Sequence, residues 1–396
     1  MKKTIFIIHP HNNLIFNVTL NYLIKCLIDR HFNLVIFTNC ERSKTYFKGN
    51  ENVKIKTLPL LYPKAPRKPW LFIQKTFLPW ISAKLELTKS KNPNIICIDP
   101  EGFHAAYQMF PSSLKDFNYI SFEIFFLNEL KEEPTIKLHK KSINLLKKGI
   151  NSLIIPDKYR LRLFLDEFTD SKIDHYFFIP VSPSKIYLPK TGNYIPFTSE
   201  LKEGEKSVIY SGSLYDWSGI KELIKSMKYN WDKKFHLYIH GHGISGSSRT
   251  DLEQFISENA KGFTIKILDH QLDYTDYLSF LMQFDIGLAT YIPFTSNSPY
   301  DGKNFAEIGY SSSKFNTLMM LGMPTITTIN NSFIDIKKEY DFGYIVKDFS
   351  EMGIALSYIK DHFEKNKIEA RRAYDELLDP TEKVQLFIDF LNTSLS

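Results

Sequence analysis

The chain has 396 residues, more than one ordinary core needs and enough for two domains. It is 43% hydrophobic, 15% aromatic and 24% charged with no long polar tract, which excludes a disordered chain. The net charge of +6 is uneven: residues 1–200 carry about +12 and residues 201–396 about −6, so only the first half is expected to meet an anionic partner.

The N-terminus offers only Thr4-Ile5-Phe6-Ile7-Ile8 before His9-Pro10-His11-Asn12-Asn13. A secretory signal needs about 7–15 apolar residues and a cleavage site, and a spanning helix needs roughly 18–20. The expectation is therefore a cytoplasmic protein. Cys26, Cys40 and Cys97 are odd in number and widely spaced, which fits reduced thiols and not a disulfide framework or a Cys-x-x-Cys metal pair.

Short apolar runs alternate with amphipathic segments throughout, the pattern of parallel sheets wrapped by helices. In the first half, strands are expected at residues 4–8, 33–37, 53–58, 94–99, 119–126 and 152–156, with a helix at 17–29. In the second half, strands are expected at 207–211, 236–240, 264–268, 286–291, 325–328 and 344–346. Helices are expected there at 220–227, 251–259, 277–282, 314–321, 333–339, 354–364 and 381–395. Between the halves, Pro180 to Glu205 is dense in Pro, Ser, Lys and Gly and reads as a linker. The fold class is α/β, with two doubly wound domains: residues 1–182, a linker over 183–205, residues 206–378, and a last helix over 379–396 that packs back on the first domain. Ligands are expected at the carboxyl ends of the strands, in a cleft between the domains.

The most informative stretch runs from Asp285-Ile286-Gly287-Leu288-Ala289 through Asn304-Phe305-Ala306-Glu307-Ile308-Gly309-Tyr310-Ser311-Ser312-Ser313-Lys314 to Gly322-Met323-Pro324. A strand enters a long polar loop, serines and a lysine open a helix, and a Gly-Met-Pro turn closes it. Helix starts present free N–H groups and a positive dipole end, which suit a diphosphate. Ser312 and Ser313 supply caps or donors, and Lys314 adds a point charge.

This stretch resembles the donor-binding region of family 4-like bacterial glycosyltransferases of surface polysaccharide synthesis, with their DIGLA strand, N-x-x-x-I-G-x-S-S-x-K loop and G-x-P turn. Other pieces follow in order: Val208-Ile209-Tyr210-Ser211-Gly212-Ser213, His236-Leu237-Tyr238-Ile239-His240-Gly241, Pro156-Asp157-Lys158-Tyr159-Arg160 and Phe178-Ile179-Pro180. The resemblance implies a GT-B fold, in which two Rossmann-like domains face each other across a deep cleft, the first binding an acceptor and the second a nucleotide-sugar donor. It further implies transfer with retained configuration to a glycan or lipid-linked glycan.

On that reading Gly212, Ser213, His240, Gly241, Asn304, Glu307, Ser312, Ser313, Lys314 and Thr317 border the donor nucleotide. Two positions depart from the family. Ser213 stands where Arg is common after the first glycine turn, and Thr317 stands where a Glu commonly grips the ribose. Glu307 or Asp301 is the candidate replacement for the ribose contact.

In the first half, His9 ends a strand and is a candidate base or phosphate donor, or a histidine satisfied by backbone. Asp99-Pro100-Glu101 ends another strand and brings Glu101 toward the same place. Glu123 is an acid in an apolar strand; leaving it buried and unpaired would cost several kcal/mol, so it is paired, protonated or at the cleft edge. His9, Glu101 and Glu123 are the catalytic candidates. Lys64, Arg67, Lys68, Trp70, Lys75 and Trp80 lie in a basic, aromatic segment that suits an anionic inner-leaflet membrane, although solvated lysines beside core aromatics would look the same. Nothing else resembles a nucleic-acid reader, so no nucleic-acid partner is expected. No cofactor is expected, since the nucleotide-sugar is a substrate. No metal is expected either, because His240 and His242 lack a ligand partner and there is no Asp-x-Asp triplet. A nucleotide-sugar epimerase and a catalytically silent scaffold remain alternatives on the same fold.

Overall fold

The computed structural model describes residues 3–59, 78–88, 93–189, 201–241, 247–269, 272, 274–295 and 300–393. The chain divides into two compact units, Met1–Val181 with Pro380–Ser396, and Ser182–Asp379.

The first unit holds strands β1 (Thr4–His9), β2 (Asn33–Thr38), β3 (Val53–Thr57), β4 (Asn94–Ile98), β5 (Phe117–Ile120), β6 (Ile150–Ile155) and β7 (Ile173–Phe178). They form one parallel sheet in the order β3-β2-β1-β4-β5-β6-β7. Its helices are α1 (Val18–Asp29), α2 (Glu41–Tyr46), α3 (Leu78–Thr88), α4 (Asp99–Met109), α5 (Glu133–Lys148) and α6 (Lys158–Glu167). β4 is buried at every position, as a central parallel strand covered on both faces must be.

The second unit holds β8 (Lys206–Ser211), β9 (Phe235–His240), β10 (Ile265–Leu268), β11 (Ile286–Ala289), β12 (Thr325–Thr328) and β13 (Gly343–Val346). These are parallel in the order β10-β9-β8-β11-β12-β13. Around them lie α7 (Ile220–Ser226), α8 (Ser247–Asn259), α9 (Tyr274–Leu281), α10 (Lys303–Ala306), α11 (Ser313–Met320), α12 (Asn331–Glu339), α13 (Met352–Asp361) and α14 (Phe363–Ala373). The Asp285 carboxylate accepts from the backbone N–H and hydroxyl of Ser207, both at 2.8 Å, and from Lys206 at 3.0 Å, pinning the starts of β8 and β11 together. The chain ends in α15 (Thr381–Thr393), which belongs to the first unit: Phe387 and Phe390 pack on Phe177 of β7 at 5.2 and 5.0 Å, and Asp389 pairs with Arg30 at 3.1 Å.

Two differences from the sequence expectation bear on function. The strand expected over 119–126 stops at Ile120, because the N–H groups of Phe122 and Glu123 bond to the Asp99 carboxylate and not to a strand. Glu123 therefore lies in a bend after β5, not within a strand. The strand expected over 94–99 ends at Ile98, and Asp99 opens α4.

Behind the second sheet, Asp341 gathers Tyr358 at 2.9 Å, Lys365 at 2.9 Å and Lys337. Burial would raise its carboxyl, but hydrogen bonds from Lys337, Lys365 and Tyr358 outweigh this and hold it at about 2. Its folded value lies below the unfolded one, so its stabilisation is full above about pH 4 and lost as pH falls toward 2. Asp341→Asn is expected to cost about 2 kcal/mol at pH 7 and progressively less toward pH 2, as read by urea melts across that range. An equal cost at both ends would show that charge is not what matters there.

Candidate functional site

Each sheet reverses strand order once, between β1 and β4 in the first unit and between β8 and β11 in the second. Open parallel sheets bind ligands outside the carboxyl ends of strands at such a reversal. Each unit places a cluster of polar side chains there.

In the first unit, Ile8 pairs with Cys97, so His9 ends β1 beside the Ile98–Asp99 step that ends β4. A Cβ on Gly102 would sit 2.9 Å from the Ile8 carbonyl oxygen, so only glycine lets the first turn of α4 close on β1. Asp99 adopts φ 58°, a left-handed conformation that costs a non-glycine residue on the order of 1 kcal/mol or more. Its Oδ1 accepts from the N–H groups of Phe122 at 2.8 Å and Glu123 at 2.9 Å, which offsets that cost and fixes the bend carrying Glu123. His11 Nε2 lies 3.6 Å from Asp99 Oδ2 and 3.9 Å from Glu101 Oε2, with the buried His9 ring edge-on at 5.7 Å.

Arg160, 1% exposed, donates to the Phe122 carbonyl and lies 3.8 Å from Glu123 Oε2. Asp157 caps α6 by accepting from the N–H groups of Tyr159 and Arg160 at 2.8 and 2.9 Å. The spacing of Asp157 and Arg160 thus has a local cause: the first starts the helix that holds the second.

Burial pushes Asp99 up to about 6, although His11 and the two N–H donors work against it. Burial also pushes Glu123 up to about 8, with Arg160 opposing and Asp99 and Glu101 adding to the rise. The Glu123 side chain keeps 37% of its surface open, so solvent reaches the carboxyl. Burial lowers His9 to about 3, so its ring is neutral at working pH. The cluster thus combines a neutral histidine, a carboxyl biased toward its protonated form and the His11–Asp99 pair, which is equipment for moving a proton.

In the second unit, Ser312 caps α11: its hydroxyl accepts from the Phe315 N–H at 3.0 Å and bonds the Tyr291 hydroxyl. Two residues on, the Lys314 amine is buried and makes no hydrogen bond among the described residues. It lies 3.8 Å from the Tyr210 ring centre, 5.1 Å from Tyr291 and 5.9 Å from Trp217. Trp217 stacks on Phe305 at 4.4 Å, which stiffens this aromatic wall. A Cβ on Gly212 would come 3.0 Å from Lys314 Cε, so the glycine turn after β8 leaves room for the lysine. Gly241 is equally constrained, since a Cβ there would lie 2.9 Å from the Gly212 carbonyl oxygen. Burial lowers the Lys314 amine to about 7.

The remaining donor-side residues are distributed as follows. His240 is buried and shares a 2.8 Å hydrogen bond with Ser211. The Ser213 carbonyl accepts from the Tyr210 hydroxyl at 2.6 Å. Ser313 begins α11, and its carbonyl accepts at 2.7 Å from the hydroxyl of the buried Thr317, which therefore braces its own helix. Asn304 is buried in α10, and Glu307 accepts from Asn331 at the start of α12. Asp301, expected as a candidate ribose ligand, is instead 2% exposed and accepts from the N–H groups of Phe294 at 3.0 Å and Gly302 at 2.6 Å.

Lys64, Arg67, Lys68, Trp70 and Lys75 lie outside the described residues, as does His242. Trp80 is described: it is 41% exposed on α3 with Lys84 over its ring at 5.4 Å. Among the described residues no group of three or more His, Cys, Asp or Glu is placed to hold a metal, and no helix is long and apolar enough to cross a membrane. The sequence reading missed Tyr210, Trp217, Tyr291 and Phe305 as site residues. Tyr210 and Tyr291 stand at the carboxyl ends of the two strands that flank the reversal, which was the available signal.

No protein-family model matches the sequence, and no curated protein matches it. Solved structures do resemble it along its whole length. Sucrose-phosphate synthase from Thermosynechococcus elongatus is 13% identical with a TM-score of 0.70, over 99% of this chain and 99% of that one. HepE of Anabaena, solved with UDP and glucose, is 11% identical with a TM-score of 0.69, over 99% and 100%. A glycosyltransferase from Rickettsia africae is 12% identical with a TM-score of 0.70, over 98% and 97%. At these identities the likeness establishes architecture: the chain has the GT-B fold, built of two Rossmann-like units.

Proposed function

We propose that this chain is a glycosyltransferase that takes a sugar from a nucleoside-diphosphate donor held by the second unit and passes it to a glycan or lipid-linked glycan. The observation that carries this reading is the Lys314 amine, buried without a hydrogen bond from any described residue, beside the capped start of α11 and facing the Gly212 turn. Burying an unsatisfied amine costs several kcal/mol, and a diphosphate is the group that would satisfy both it and the first-turn N–H groups. UDP is the first nucleotide to try, because Anabaena HepE has been solved with UDP and with UDP-glucose.

In this reading no metal or cofactor takes part: Lys314 and the α11 start stabilise the departing diphosphate. The first-unit cluster of His9, His11, Asp99, Glu101 and Glu123 receives the acceptor hydroxyl. Transfer keeps the anomeric configuration, and the place of action is surface polysaccharide synthesis (capsule or lipopolysaccharide). These two points follow from the sequence resemblance. The exposed Trp80–Lys84 pair in the basic first half supports docking on the cytoplasmic face of the inner membrane, where a lipid-linked acceptor waits.

The deciding experiment is a thermal-shift panel of UDP, GDP, CMP, dTDP and ADP, with and without magnesium. A ligand at about 100 times its dissociation constant adds roughly 2.7 kcal/mol, enough to move Tm by several degrees. One nucleoside diphosphate is expected to do so without metal. Proton NMR of the product with that donor should then show the donor's own anomeric configuration; the opposite anomer would overturn retention. Ser213 and Thr317 favour a second reading, a nucleotide-binding scaffold without catalysis, and a shift with no transfer to any acceptor would select it.

A further inference from the structure

Lys314 is placed unlike a surface lysine that merely meets a phosphate. Its amine is enclosed by Tyr210 of β8 at 3.8 Å, Tyr291 beyond β11 at 5.1 Å and Trp217 at 5.9 Å, with the Gly212 turn against its Cε. The titratable groups that face it are the Tyr210 and Tyr291 hydroxyls, and burial pushes both to values at which they stay neutral. Tyr277 of α9 acts on both tyrosines and lies 6.0 Å from His240 of β9, which itself bonds to Ser211. No ion pair forms on the amine among the described residues, and burial alone accounts for its shift. Enclosure by the rings therefore favours the neutral amine, whereas a dianion beside it favours the ammonium.

We propose that a nucleoside diphosphate enters this site together with one proton from solvent, which the Lys314 amine takes up to become the ammonium that pairs with the phosphates. This rests on the donor-binding reading above and adds its regulation: donor affinity is set by pH, and departure of the diphosphate returns the proton. The step balances: the amine lone pair forms an N–H bond as the bond holding that proton on hydronium or the buffer acid breaks, leaving water or the buffer base in solution. The aromatic cage makes the coupling possible, since a solvated lysine would carry its charge whether or not the nucleotide was bound.

The test is calorimetric titration of the whole chain with UDP, or with whichever nucleoside diphosphate shifts Tm. It is done at pH 6 and pH 8 in buffers of differing ionisation enthalpy. The slope of observed heat against ionisation enthalpy counts the protons taken up. With the free amine near pH 7, about 0.9 proton is expected at pH 8 and about 0.1 at pH 6, and affinity should fall nearly tenfold per pH unit above pH 7.5. Lys314→Met should bind more weakly and show no buffer dependence at pH 8 beyond that of the nucleotide itself. Wild-type binding with equal heats in all buffers at pH 8 overturns the proton coupling and leaves donor binding standing. No binding by any nucleoside diphosphate overturns both.

Discussion

Lys314→Met is expected to make the unliganded protein more stable while weakening its response to nucleoside diphosphates. Methionine keeps the unbranched stem that runs past Gly212 and replaces only the amine among the rings of Tyr210, Tyr291 and Trp217. Holding that amine in its protonated form costs a few kcal/mol, from its lowering to about 7. Refitting a thioether among the packed rings gives back part of this, about 1–3 kcal/mol. The net gain on removal is then about 2 kcal/mol, which raises Tm by roughly 4–8 °C in a unit of this size. The unfolded lysine binds its proton up to about pH 10 whereas the folded one releases it near 7, so wild-type stability rises across that interval. The advantage of the variant should accordingly be largest at pH 6.5 and shrink toward pH 10. Thermal melts with and without UDP check both halves, and turnover should fall at least tenfold. A lower Tm with an unchanged nucleotide shift would make the cage a structural packing of the lysine and end its donor role. A destabilising residue kept at the mouth of a sheet is the usual sign of a site that gives up stability for function.

The two-layer pattern was legible because parallel strands are read from apolar runs and helices from their spacing, and both depend on local sequence. Ile95-Ile96-Cys97-Ile98 between polar turns can hardly be anything other than a buried strand. The Ser312–Lys314 helix start was legible for the same reason: caps and dipole are local chemistry. What the sequence hid was set by distant partners. The bend at Glu123 exists because a carboxylate 24 positions earlier takes its N–H group, and no window of neighbouring residues contains that fact. The same holds for the aromatic cage, whose members come from β8 (Tyr210), the segments after β8 and β11 (Trp217 and Tyr291) and helix α11 (Lys314). Asp301 was a candidate by residue type and place, and its carboxylate accepts from backbone N–H groups, while Thr317, already a departure from the family pattern, braces its own helix.

Arg160→Met should cause the largest loss in the first unit, and its pH dependence separates a chemical role from a structural one. The guanidinium is 1% exposed, donates to the Phe122 carbonyl and lies 3.8 Å from Glu123. Removing one partner of such a buried arrangement typically costs 3–5 kcal/mol, because the remaining group keeps its desolvation without compensation. Here the loss is expected near the lower end, about 3 kcal/mol, since Glu123 reaches solvent and Asp99 still holds the Phe122 and Glu123 N–H groups. The chemical consequence is separate. Arg160 is what restrains the upward shift of Glu123, so without it the carboxyl should titrate above its present value near 8. At pH 7.5, kcat/KM is expected to fall by about a hundredfold or more, with any ionisation of this group in the pH profile displaced upward. Asp157→Ala provides the comparison. It removes the cap of α6 and leaves the Arg160 guanidinium in the chain, should cost about 1 kcal/mol, and should leave the profile in place. If Arg160→Met lowers activity only in proportion to the protein left folded, and the two variants share one pH profile, Arg160 is a strut and Glu123 does not take part in the chemistry. If the profile moves with Arg160 alone, the bend after β5 is where the acceptor's proton is handled.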